Sequence, residues 1–186
     1  MGNTTRRKVV FSLVFIPCIL AFIIFMGAST YRALKAEADQ VSCANNMKDL
    51  GLAVKICEDD RYGTFPSNQW CDELLTNKQV MSEFTTNLVN IFRCPTALKS
   101  QRCSYALNRQ LVGIKDTGGI AEDTVMLFES DTGWNAVGGS EIMAAHRHYS
   151  GLNFALVDGS VEYVEYKDLG KLRWNPYTNA PAAVAK

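Results

Sequence analysis

The chain has 186 residues, with 19 basic side chains, 19 acidic ones and two histidines. Balanced charge with no basic stripe leaves no electrostatic footprint for nucleic acid. Without Arg6, Arg7 and Lys8 the remainder is mildly acidic, and its length suffices for one compact domain beyond any membrane segment.

Residues 1–8 form a basic tip. Val9–Ala28 then runs for twenty residues without a charged side chain. A helix of that length covers roughly 30 Å, the hydrocarbon thickness of a bilayer, so residues 9–29 are expected to span a membrane. Three cations precede the run, whereas Arg32 and Lys35 behind it are diluted by Glu37 and Asp39. That asymmetry places the N-terminus in the cytoplasm and the rest outside it. A cleaved secretory signal is the competing reading, but its apolar core would be only about 7–15 residues long. Met26-Gly27-Ala28 is also a poor cleavage site. Cys18 follows Pro17 and precedes apolar residues, which suits membrane burial rather than lipidation. Pro17 removes a backbone donor, and a kink is expected there.

Residues 30–60 read as an amphipathic continuation of the same helix. Leu34, Ala38, Val41, Ala44, Met47, Leu50, Val54 and Cys57 recur every three or four positions, the period of one helical face. Arg32, Lys35, Asp39, Asn46, Asp49 and Lys55 take the other side. Glu58-Asp59-Asp60 reads as a solvated helix end, and Gly63 and Pro66 stop the pattern. A plain coiled-coil stalk would need more heptads than this.

Residues 61–175 are expected to form the globular head. Phe65–Asn108 reads as loops and short helices (Cys71–Asn77, Met81–Phe92). Thr124–Ser130 is a β-rich run. Leu152–Val157 and Ser160–Tyr166 flank Asp158-Gly159, a strong hairpin signal because a type I′ turn needs positive φ at both central residues. Alternation in Ser160–Tyr166 predicts one face on a core and one in water. Asp168–Trp174 reads as a last helical turn, and residues 176–186 as a flexible tail. The fold class is α+β: a long N-terminal helix whose second half packs on a small antiparallel sheet.

Five of the six cysteines (Cys43, Cys57, Cys71, Cys94 and Cys103) lie beyond the apolar run and are disulfide candidates in an extracytoplasmic setting. The odd number leaves at least one unpaired. Cys43 and Cys57 would be about 21 Å apart along one helix, too far to bridge. The absence of a C-x-x-C pair and the scarcity of histidine argue against structural zinc.

His146 and His148, with Glu129, Asp131, Glu141 or Asp158, form a candidate set for a metal or an acid–base pair. Oxygen donors outnumber nitrogens there, which favours calcium over zinc, although Asp131-Thr132-Gly133 is too short for a calcium loop. No cofactor is required. The competing reading is that His148 and Asp158 fasten the hairpin through hydrogen bonds to backbone. Trp70, Trp134 and Trp174 suit either a sugar-binding platform or core packing. No nucleophile elbow, phosphate-binding glycine loop or paired-carboxylate motif occurs, so no enzymatic activity is expected.

The order of these pieces resembles the type IV pilin and pseudopilin superfamily. The chain is more closely similar to pilin-like bacterial proteins with a histidine-x9-aspartate-glycine motif, here His148, Tyr149–Val157, Asp158 and Gly159. Cys43–Ala53 (CANNMKDLGLA), Phe65-Pro66, Trp70, Phe92-Arg93-Cys94-Pro95 and Ser104–Asn108 (SYALN) also resemble that group. The resemblance implies a single-pass protein of the bacterial cytoplasmic membrane, with a pilin-like head in the periplasm or outside the cell. It implies partners of three kinds: the lipid bilayer, further copies of the chain and other pilin-like subunits. The implied function is a structural subunit of a filament or secretion-type assembly, and some pseudopilins hold calcium in a loop. Val10 and Phe15 stand where a prepilin starting its mature chain at Phe11 would carry glycine and glutamate. That departure motivates the alternative of a tethered, non-polymerising binding module for a glycan, calcium or a protein.

Overall fold

The computed structural model describes the backbone of residues 3–84 and 88–177, and side chains from Cys18 onward. The side chains of the basic tip and of residues 9–17, and the tail beyond residue 177, lie outside the described residues.

Helix α1 runs from Asn3 to Asp60. It contributes to both compact units of the chain, Met1–Ala38 and Asp39–Lys186. In the first unit, α1 holds the one segment long and apolar enough to cross a membrane among the described residues, and none of that window is buried. Ile19, Leu20, Phe22, Ile23, Ile24, Phe25 and Met26 are all exposed.

In the second unit the helical face is narrower than the expected stripe. Cys43, Met47, Leu50, Val54 and Cys57 are buried, together with Ala53. Val41 is exposed instead, as is Leu34 in the first unit. The 3.6-residue period is kept from Cys43, because that is where the sheet begins to cover the helix. Gly51 faces the sheet: a Cβ built there would lie 3.4 Å from Met126 Cε and 3.7 Å from Ala155 Cβ. The end of α1 is solvated at Asp59 and Asp60, both exposed, but not at Glu58. Glu58 is buried and pairs with Lys55 at 2.6 Å, and Asp60 accepts from the side chains of Asn77 and Gln79.

Three short helices follow: α2 (Trp70–Thr76), α3 (Lys78–Glu83) and α4 (Leu88–Ile91). The side chain of Asn77 caps α3 by accepting from the N–H groups of Gln79 and Val80, satisfying donors the first turn leaves free. The sheet contains β1 (Tyr105–Asn108), β2 (Val125–Glu129), β3 (Val137–Gly138), β4 (Gly151–Leu156) and β5 (Val161–Glu165). Its order is β3-β1-β2-β4-β5. The β1–β2, β2–β4 and β4–β5 pairs are antiparallel, but β3 runs parallel to β1. The sheet is therefore mixed rather than antiparallel, and Tyr105–Asn108 is a strand where loops and short helices are expected.

Strands β2 and β4 are buried along their whole length. On one face Leu107, Leu127 and Ala155 meet α1, and on the other Val125, Phe128, Leu152, Phe154 and Leu156 meet Leu172 and Trp174. Covering on both faces suits the near-continuous apolar runs of these strands. The expected alternation does not hold in the edge strand β5: Val161 and Val164 are half-buried against opposite core clusters, while Glu162, Tyr163 and Glu165 are exposed. Charge on an edge discourages pairing with another sheet.

The hairpin turn also differs in type. Leu156 N–H donates to Ser160 O, and Gly159 N–H to Leu156 O. Gly159 has φ of 86° and is the only left-handed residue of the turn. This is the pattern of a three-residue loop with a left-handed final position, not the two-residue type I′ turn. A 3₁₀ helix, Tyr166–Lys171, precedes the C-terminal core residues in place of the helical turn expected at Asp168–Trp174.

Candidate functional site

Four chemistry-bearing side chains from distant parts of the sequence meet between α1 and the sheet. Cys43 comes from α1, Cys94 from the turn after α4, Glu129 from the last position of β2 and His148 from the loop entering β4. One ligating atom from each lies within 4.8 Å of all the others. Relative exposures are 0% for Cys43 and Glu129, 2% for Cys94 and 8% for His148, which leaves no approach for a substrate.

Local structure explains each placement. Alternation along β2 turns Leu127 and Glu129 toward the helix and Phe128 away. Ser104 N–H donates to Phe92 O at 2.8 Å, and the side chain of Asn46 donates to Arg93 O at 2.8 Å. Those two bonds pin the Phe92–Pro95 turn between β1 and α1, which brings Cys94 to Cys43. His148 is held from behind, its carbonyl accepting from the Tyr166 hydroxyl at 3.1 Å.

The contacts form a closed network. Cys43 Sγ donates to Glu129 Oε1 at 2.6 Å, and His148 Nε2 lies 2.8 Å from that same oxygen. His148 Nε2 is also 3.7 Å from Cys94 Sγ. The second carboxylate oxygen accepts the Asn153 backbone N–H at 2.9 Å, so Glu129 supplies an acceptor that the sheet ladder does not. Tyr105 adds a hydroxyl 3.2 Å from Cys43 Sγ, and Thr96 one 3.1 Å from Cys94 Sγ. Gln40 donates to the side chain of Asn153 at 3.0 Å and closes the rim.

Electrostatics follow the geometry. The hydrogen bond from Cys43 outweighs burial and, with help from His148 and Thr96, brings the Cys94 thiol down to about 5. Burial pushes the Cys43 thiol up. Burial alone would lower His148, but Cys94 and Glu129 together hold the imidazole up at about 9. Hydrogen bonding within the cluster thus lowers the Cys94 thiol and raises the His148 imidazole, while burial keeps Cys43 a donor.

Of the residues named from sequence, Glu129 and His148 belong to this cluster. Asp131 pairs with Arg147 instead, and the exposed His146 sits edge-on to the Tyr166 ring at 5.9 Å. Glu141 pairs with Arg109. Asp158 accepts from Ser160 N–H at 2.8 Å in its own turn, whereas the His148 ring faces Glu129 and Cys94 rather than hairpin backbone. All six cysteines are free thiols. Cys43 neighbours Cys94, Cys71 neighbours Cys103, and Cys57 stands apart near Arg61. The tryptophans share no platform: Trp70 and Trp134 both contact Phe92, while Trp174 packs on Phe128 across the sheet.

Sequence reasoning separated the thiols from the histidine. The available signal was that Cys43, Cys94, Tyr105 and His148 each fall in one of the short stretches singled out in the sequence, and those stretches converge here. Models of known protein families, curated proteins and solved structures yield no match to the chain.

Proposed function

We propose that the chain is a membrane-anchored, pilin-like structural subunit of a filament or secretion-type assembly. The observation that carries this reading is the unburied apolar segment of α1, on the same helix that later supplies the core of the head. Each large apolar side chain moved out of water contributes about 1.5–3 kcal/mol, so a run from Ile19 to Met26 calls for lipid or neighbouring helices. The charges flanking the run favour a cytoplasmic N-terminus and an extracytoplasmic head in the bacterial cytoplasmic membrane. A head whose thiols and imidazole are closed off from solvent suits a structural role better than a catalytic one.

The test is fractionation of cells expressing the full chain, followed by cross-linking and electron microscopy of native membranes. Retention in alkali-washed membranes and a ladder of cross-linked multimers or visible fibres are expected. Recovery in the soluble fraction would remove the anchor. Dispersed membrane-bound monomers would remove the assembly role and leave the tethered binding module.

A further inference from the structure

We propose that Cys43, Cys94, Glu129 and His148 form a four-coordinate zinc site that cross-links α1 to the head. The donor set is two sulfurs, one imidazole nitrogen and one carboxylate oxygen, with all four donor atoms converging within 4.8 Å. Zinc takes four such ligands tetrahedrally, with bonds of about 2.3 Å to sulfur and about 2.0–2.1 Å to nitrogen or oxygen. Tetrahedral edges are then roughly 3.3–3.8 Å. The 3.7 Å contact from Cys94 Sγ to His148 Nε2 already has that length. The Cys43–Glu129 and His148–Glu129 contacts, at 2.6 and 2.8 Å, open by under about 1 Å to admit the ion. Sulfur donors rule against calcium, which takes six or more oxygens, and the burial of all four ligands leaves no open position, as in structural rather than catalytic zinc sites.

Three of the four ligands carry a hydrogen-bond partner outside the donor set. Tyr105 hydroxyl stands at Cys43, Thr96 hydroxyl at Cys94 and Asn153 N–H at Glu129. Such partners orient ligands and raise metal affinity. When zinc binds, two protons leave the cluster, and two thiolates, a carboxylate and a neutral imidazole face the divalent ion. The cross-link joins positions 43, 94, 129 and 148, spanning α1, the α4–β1 turn, β2 and the loop into β4.

The experiment uses the full chain in detergent micelles, purified without contact with a metal column. Elemental analysis should find about one zinc per chain. Cobalt exchanged into the site should show the visible bands of a tetrahedral ion and the near-ultraviolet charge transfer of two thiolates. Bound metal should fall about tenfold or more in Cys94→Ser and in His148→Ala, and stay unchanged in Cys57→Ser, a buried thiol outside the cluster. Where a ligand variant fails to fold, the wild-type cobalt spectrum decides, because charge-transfer intensity counts the thiolates. A folded, reduced wild-type chain that takes up no cobalt would overturn the proposal. So would a cobalt spectrum without thiolate ligands, a loss in Cys57→Ser equal to that in Cys94→Ser, or a Cys43–Cys94 disulfide in chain isolated from cells.

Discussion

Glu129 is a carboxylate with no exposed surface, and its two oxygens serve a thiol, an imidazole and a backbone N–H at once. Removing one member of a buried charged network costs more than the network contributes, because the remaining groups stay desolvated without partners. Glu129→Ala should therefore destabilise the head by about 3–5 kcal/mol, read as a lowered denaturant midpoint with an unchanged slope. Asp72 is the exposed counterpart. Its carboxylate accepts from the Asn135 amide at 2.5 Å and the Trp134 indole at 3.0 Å, and these bonds, the Asn135 one foremost, lower its pKa. A depressed carboxylate lends stability above its unfolded value and loses it as pH falls through the folded one. Acidification below the ordinary aspartate range should thus release Trp134 from α2 and shift its fluorescence, and Asp72→Asn should abolish that step. Sequence patterns singled out Glu129 and His148 as a candidate site, and Cys43 and Cys94 only as disulfide candidates. Nothing in the spacing of Cys43 and Cys94 says that a helix face and a turn meet.

Packing between elements depends on two close approaches. Gly51 lets α1 settle on β2 and β4, and the space beside it admits one methyl group against the flexible end of Met126. Gly51→Ala should be neutral or gain up to about 1 kcal/mol from helix propensity, whereas Gly51→Leu should cost about 1–3 kcal/mol through overpacking. At Gly151 a Cβ would stand 2.2 Å from the Val164 carbonyl oxygen. Backbone cannot yield there, so Gly151→Ala should open the first rungs of the β4–β5 ladder, seen as faster amide exchange at Leu152 and Val164. The helix and the hairpin were legible because each announces itself locally, by a 3.6-residue period or by Asp-Gly between strand-forming runs. Strand β1 and the two-residue β3 were not. SYALN carries too few residues to show a period, and β3 pairs in parallel with β1 beyond a loop whose Trp134 and Asn135 side chains bond Asp72 of α2.

For the whole molecule the division at Ala38 matters most. Residues 39–186 form their own compact unit, containing both core clusters and the four-residue site. A fragment beginning at Asp39 should fold cooperatively in water without detergent, with coincident transitions by far-ultraviolet circular dichroism and tryptophan fluorescence. Aggregation or non-coincident transitions would mean that the first thirty-eight residues are needed for the head. Run length and side-chain chemistry alone marked Val9–Ala28 as a membrane segment, the helix after it and the Asp158-Gly159 turn, since each signal is written within a few neighbouring residues. Only the tertiary structure decided that the sheet is mixed and buried on both faces, and that two thiols join Glu129 and His148. Those contacts link positions tens of residues apart through chain reversals, and no local period or spacing encodes where such reversals bring side chains together.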